Sequence, residues 1–204
     1  MKPKIICISG GSGSGKTFIS NEIIKTYIKE NIALIKQDYY YKDLSHIKLQ
    51  NRINHNFDHP DSIDLPLFKS QIKKLTMGKN IKIPTYDFSK HIRLKETTQI
   101  SKKKIIIVEG LFTLYYKQLH KFYNFKIYIK TPKEIRLQRR IHRDIKERDR
   151  TLNSIIYQYN STVKHMHKKF IKPSKKHADL IINGDRTIDK IMKIIKPELD
   201  SILA

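Results

Sequence analysis

Five short apolar runs punctuate the chain, at residues 5–9, 32–36, 105–108, 125–129 and 179–182. Each is continuous rather than alternating and rich in Ile and Val, the pattern of strands covered on both faces in a parallel sheet. Between them the apolar positions recur at helical spacing. Ile19, Ile23, Ile24, Tyr27 and Ile28 do so after a glycine-rich stretch, and Leu65, Phe68, Ile72 and Leu75 do so further on. A third helix is predicted from Thr131-Pro132-Lys133-Glu134, which reads as a capping box with proline at the first helical position. A fourth carries Ile155, Ile156, Tyr159, Val163, Met166 and Phe170, and a last runs from about Arg186 to the C-terminus. Strands alternating with helices predict an α/β fold, a five-stranded parallel sheet flanked by helices with right-handed crossovers. One stretch breaks the rhythm: residues 81–86 and 93–100 read as a β-hairpin outside the main sheet, with 87–92 at the turn. Excursions of this kind often carry substrate specificity.

Length and composition narrow the class. At 204 residues and 24.2 kDa, residues 1–204 fit a single domain with a full core. No apolar run approaches the roughly 20 residues that a bilayer requires, and the apolar stretch after Met1-Lys2-Pro3-Lys4 is too short for a signal-peptide core. A cytoplasmic protein without a membrane role is expected. The single cysteine, Cys7, cannot form an internal disulfide and reads as a buried strand residue. The net charge of +23 raises the question of nucleic acid, but lysine supplies 33 of the 42 cationic side chains and is spread along the whole chain. That distribution is a solvated face that draws in anionic nucleotides, not a dedicated nucleic-acid surface.

The glycine-rich stretch supplies the chemistry. Gly10-Gly11-Ser12-Gly13-Ser14-Gly15-Lys16-Thr17 satisfies G-x-x-x-x-G-K-[ST] between a predicted strand and a predicted helix, the context that a phosphate-binding loop requires. Four of the chain's seven glycines lie in it. The backbone of Gly11, Ser12, Gly13, Ser14 and Gly15 would wrap the phosphates of ATP or GTP. Lys16 would reach the β- and γ-phosphates, and the Thr17 hydroxyl would ligate Mg²⁺. Two further strands end in carboxylates, at Gln37-Asp38 and at Val108-Glu109-Gly110. Strand ends of this kind overlook the ligand crevice of an open α/β sheet. Asp38 and Glu109 should therefore converge above the loop, one beside the reacting hydroxyl and one toward the metal.

Six of the nine arginines fall in residues 136–150, while lysine carries the charge elsewhere. A planar guanidinium holds phosphate oxygens bidentately, so the segment reads as a lid closing over the phosphates. Arg143 and Arg148 are its candidates for ATP, Arg143 also for charge in the transition state. On a helix Arg136, Arg140 and Arg143 share a face. The plainer alternative is a solvated basic helix paired with Glu134, Asp144 and Glu147.

These segments, with Asn56-Phe57-Asp58-His59-Pro60-Asp61, Pro84-Thr85-Tyr86-Asp87-Phe88 and Arg139-Arg140-Ile141-His142-Arg143-Asp144, resemble the uridine kinase (uridine–cytidine kinase) family of P-loop kinases. The likeness runs in order from the first strand to Lys172-Pro173-Ser174-Lys175-Lys176-His177-Ala178-Asp179. It implies that Asp38 is the catalytic base toward a nucleoside 5′-hydroxyl and that Asp58, aided by Arg140, grips the ribose. Tyr86 and His91 would hydrogen-bond the pyrimidine while Phe88 packs against it, and Tyr41, Arg150 and Gln158 would complete the pocket. The hairpin at 81–100 would close over the base. A homo-oligomer, tetrameric as in bacterial members, is the corresponding expectation for assembly. Two departures stand out. Asp149 occupies the place where the family has glycine between the last two arginines, which should alter the lid hinge and offer a carboxylate to an arginine. Leu111-Phe112 follows Glu-Gly where Ile-Leu is common. The rival readings are a phosphoribulokinase-like metabolite kinase, a nucleic-acid-associated P-loop protein, and a kinase-like protein whose catalysis Asp149 has weakened.

Overall fold

The structure is a computed structural model that describes residues 2–27 and 31–203. Five parallel strands form the main sheet in the order β2 (Ile32–Lys36), β5 (Ile105–Gly110), β1 (Lys4–Gly10), β6 (Phe125–Lys130) and β7 (Leu180–Asn183). The central strands alternate their side chains between two apolar layers. Ile5 and Cys7 of β1 join Ile106 and Val108 in one layer, while Ile6 and Ile8 join Ile105 and Ile107 in the other. Both layers are covered, which is why these strands read as unbroken apolar runs. Burial pushes the Cys7 thiol up to about 12, so it stays protonated and inert.

Helix α1 (Lys16–Thr26) and the C-terminal helix (Ile188–Leu203) cover one face through Ile19, Ile23, Ile191, Ile195 and Leu199. Of the expected α1 stripe, Ile28 lies outside the described residues. The short α2 (Leu49–Ile53) precedes α3 (Leu65–Thr76), which packs Phe68, Ile72 and Leu75 against the other face. There it meets the antiparallel pair β3 (Ile81–Asp87) and β4 (Ile92–Ile100), the hairpin expected from the sequence.

Three expectations shift, each for a physical reason. The 105–108 run continues through Gly110, so Glu109 sits on the strand and not after it. The last strand begins one residue late, because Asp179 clamps the sheet edge, accepting from the Lys126 amide at 2.8 Å and pairing with its ammonium at 2.9 Å. The capping box at Thr131 does not form. Helix α4 (Lys133–Arg148) has Pro132 at its N-cap and no side-chain cap, and the Thr131 hydroxyl donates instead to the Ser14 carbonyl at 3.0 Å.

The fourth predicted helix is the most altered. Helix α5 (Leu152–Gln158) runs on into two π turns, Tyr159–Val163 and His167–Ile171. Ile155, Tyr159, Val163 and Ile171 are its buried apolar residues. Their spacing in multiples of four drifts by about 40° per four residues on a 3.6-residue helix. Over such a length an α-helix would carry Ile171 away from the core. Each i→i+5 turn takes up surplus chain and returns the stripe to the protein.

Candidate active site

The loop connecting β1 to α1 needs glycine where the chain turns left-handed. Gly13 has φ 74° and Gly15 φ 96°, and a Cβ on Gly13 would run into the carbonyl of Arg136. Gly15 is the N-cap of α1, leaving the helix's free amides at the loop. Lys16 folds back so that its ammonium donates to the Gly11 carbonyl at 3.1 Å. Burial lowers its pKa, opposed by Glu109 and Asp38.

Beside the loop, the ends of β5 and β2 bring their carboxylates together as expected. Thr17 Oγ1 donates to Glu109 Oε1 at 2.9 Å, and the other carboxylate oxygen is buried without a partner. Burial raises the Glu109 pKa against the pull of Lys16, and Asp38 raises it further. Gly110 follows because a side chain there would collide with Gln37, whose amide oxygen accepts from the Phe112 amide at 2.9 Å. A hydroxyl and two carboxylates form a hard-oxygen donor set suited to Mg²⁺. Among the described residues no three acidic, histidine or cysteine side chains form a metal cluster of their own. An ion shared with substrate phosphates needs only one or two protein ligands, so the residues fit Mg²⁺.

A cavity of about 330 Å³ opens from the loop toward the hairpin. It gathers nearly every residue named from the sequence: Ser12, Lys16 and Thr17 at one end, Asp38 and Glu109 in the middle, and Tyr41, Asp58, Tyr86, Phe88 and His91 at the other. Arg140, Arg143, Arg148, Arg150 and Gln158 form its remaining wall. Gly11, Gly13, Ser14 and Gly15 do not line it, lying around the loop instead. The far end is aromatic. Tyr41 meets Phe57 edge-on at 5.1 Å and Tyr86 at 5.4 Å, Tyr86 lies 5.2 Å from Phe88, and His91 stacks on Phe57 at 4.7 Å. The Tyr86 hydroxyl is buried without a partner. Burial, reinforced by Arg148 and Arg150, lowers the His91 pKa, so its ring is neutral near pH 7 and offers both a donor and an acceptor. His91 reaches this position from a left-handed backbone, φ 54°. Arg93 anchors the hairpin, donating to Asp64 at 3.1 Å and to the Tyr41 carbonyl at 2.8 Å.

Asp58 is 4% exposed, and Arg140 approaches it at 3.8 Å while donating to Ser12 at 3.0 Å and to Gln158 at 2.7 Å. Arg150 donates to the same Gln158 oxygen. The arginine segment is not one uniform lid. Arg136 turns away behind the loop, and Arg139 reaches the Gly184 carbonyl at 2.9 Å. Arg140, Arg143, Arg148 and Arg150 stay at the cavity and converge on Asp144, which is fully buried, at 3.4, 2.7, 3.6 and 3.9 Å. Arg148 also lies 4.9 Å above the Phe88 ring, joining α4 to the hairpin. Asp149 ends α4 with φ 50°. It adopts the left-handed turn for which glycine is usual, as a short polar side chain can. Contrary to expectation, it pairs with no arginine among the described residues; the segment's anchor is Asp144.

Asp144 carries no such role in the sequence reading, where it is one solvated partner among three. The signal was its i+4 spacing to Arg140 and Arg148. Phe57, inside the quoted Asn-Phe-Asp segment, and Tyr39 also line the cavity without having been assigned to it.

The profile of the phosphoribulokinase / uridine kinase family matches residues 5–190. The chain belongs to this family. Within the family, a uridine kinase of Staphylococcus epidermidis is 44% identical over 98% of this chain and 97% of its own. One of Clostridium novyi is 47% identical over 89% of this chain and 88% of its own. Among solved structures, D-glycerate 3-kinase from Cryptococcus neoformans superposes with a TM-score of 0.69 at 15% identity, over 91% of this chain and 88% of that one. That likeness concerns the fold alone. The family description names two kinds of kinase, phosphoribulokinase and uridine kinase.

Proposed function

We propose that the chain is a uridine kinase, transferring the γ-phosphoryl group of ATP or GTP to the 5′-hydroxyl of uridine and of cytidine. The observation that carries this reading is the set of aromatic side chains lining the same cavity as Asp38 and the phosphate-loop residues Lys16 and Thr17. A sugar phosphate would leave the ring faces at that end without a partner. Here Tyr41, Phe57, Tyr86, Phe88 and His91 supply ring faces and two polar edges, which suit a pyrimidine. The relatives named as uridine kinases support the same acceptor.

In this reading Asp58 and Arg140 hold the ribose hydroxyls, and the 5′-hydroxyl faces Asp38, which accepts its proton as the phosphoryl group transfers. Lys16 and Arg143 stabilise charge on the transferring group. Thr17 and Glu109 would hold Mg²⁺, which neutralises the β- and γ-phosphate oxygens when bound. Mutual repulsion among four guanidiniums is held in check by Asp144, so the wall stays cationic and ordered.

A coupled assay with uridine, cytidine and ribulose 5-phosphate as acceptors tests the reading directly. Turnover of either nucleoside is expected, and turnover of ribulose 5-phosphate alone would overturn it. Asp38→Asn should lower kcat by about 10²–10⁴-fold with ATP affinity unchanged. Near-normal turnover in that variant would remove Asp38 from the role of base.

A further inference from the structure

Behind the loop, away from the aromatic cavity, a second cavity of about 320 Å³ opens between the end of β6, the first turn of α4 and the π-helical stretch. Lys130, Lys133, Lys164, Lys168, Lys172 and Lys175 line it, and no carboxylate does. Two groups at its floor have unmet demands. Arg136 is only 6% exposed, and its Nε donates to the Thr131 carbonyl at 3.2 Å. Its guanidinium has no carboxylate partner among the described residues, whereas Arg140, one turn on, has Asp58 and Asp144. A buried charge without a counter-charge is costly. His167 opens the second π turn, and its Nδ1 is buried without a hydrogen-bond partner. Burial, then Arg136, Lys16 and Lys172, holds its pKa down to about 3. The ring is thus neutral and can donate to an anion.

We propose that this cavity is an effector site for a small polyphosphate-bearing molecule, bound by Arg136, His167 and the lysine rim. Seven cations around one concavity match a compact ligand with several negative charges better than a single carboxylate. The volume belongs to small-molecule pockets.

The site is built to communicate with the phosphate loop. Gly11 lines it, and a Cβ on Gly11 would fall 2.7 Å from Arg136 Nη1 and 2.9 Å from His167 Cε1. The carbonyl of this same glycine accepts from Lys16 at 3.1 Å and from the Ser14 amide at 3.0 Å. A ligand that draws Arg136 and His167 toward itself changes what presses on Gly11. It therefore shifts the loop's affinity for its own triphosphate, and the shift is reciprocal. The inference needs the loop to bind a triphosphate and is independent of which acceptor is phosphorylated.

Calorimetric titration of the full chain with inorganic tripolyphosphate, and in parallel with ATP, tests it. Two sites are expected in the parent. Lys16→Ala should retain one of them, and Lys168→Glu/Lys172→Glu should lose that one, with affinity falling about tenfold or more. The double variant changes exposed side chains only and should keep its turnover in the absence of tripolyphosphate. In Lys16→Ala, saturation with tripolyphosphate should raise the His167 pKa above that of the ligand-free variant, read by NMR of the imidazole ring. An ATP affinity at this site above that of tripolyphosphate identifies a nucleotide as the effector, and one at or below it identifies inorganic polyphosphate; both are the site proposed. A single site abolished by Lys16→Ala overturns the proposal. So does equal weakening by Lys73→Glu/Lys74→Glu on α3, which would make binding a property of net charge alone.

Discussion

Asp144 lines neither cavity, yet four arginines of the site depend on it. Burial alone would raise its pKa; Arg143, Arg140 and Arg148 overcome that and hold it below the usual carboxylate range. A depressed carboxylate contributes stability that is present above its unfolded pKa and lost as pH falls through the folded one. Asp144→Asn keeps the shape and removes the charge, leaving the guanidiniums facing one another. The expected cost is about 3 kcal/mol, toward the low end for a broken buried pair. For a chain of this length that lowers Tm by roughly 6–12 °C, and KM should rise for both substrates as the wall loosens. Parent-like melting and KM values would show that the arginines do not need it. The residue scale is also where sequence reading is least complete. Lys16, Thr17 and the glycines are legible because backbone approach to phosphate restricts which residues serve. Asp144 is not, because an i+4 carboxylate on a basic helix looks the same whether it faces solvent or four arginines.

Whole elements were easier to read than their joints. The parallel strands were visible because both faces of the sheet are covered, so no polar residue interrupts them. The hairpin was visible because its turn breaks an apolar pattern. Neither the π turns nor the lost capping box could be seen, since each depends on a distant partner: the core that keeps Ile171 inward, and the Ser14 carbonyl that takes the Thr131 hydroxyl. The hairpin also has a definite job at this scale. It brings Tyr86, Phe88 and His91 to the cavity and is tied to α4 where Arg148 lies over Phe88. Phe88 is half-buried and away from the loop, so Phe88→Ala should act on the acceptor and not on the donor. Losing a ring face of about 1 kcal/mol raises the nucleoside KM by roughly fivefold, with the ATP KM within about twofold of the parent. Parallel rises in both would mean that the hairpin shapes the phosphate end as well.

Across the whole molecule the charge and the histidines act in the same direction. The chain carries +23, and acidification adds to it by protonating carboxylates. His167, His91, His55 and His177 all have lowered pKa values, in each case chiefly through burial. Below about pH 6.5, the ordinary histidine value, the unfolded chain therefore binds protons that the native state refuses. Stability then rises with pH and falls on acidification. His167 refuses its proton down to about pH 3, so it contributes a full proton of difference through the range in between. Urea unfolding measured from pH 7 to pH 4 should show a steady loss of stability. His167→Asn should reduce the slope by about 1.4 kcal/mol per pH unit between roughly pH 5.5 and 4. Added salt separates the two causes: it screens the repulsion of the surface lysines and leaves the burial that dominates the His167 shift in place. A pH slope that vanishes in high salt would assign acid sensitivity to net charge, whereas one that persists and is removed by His167→Asn locates it behind the phosphate loop.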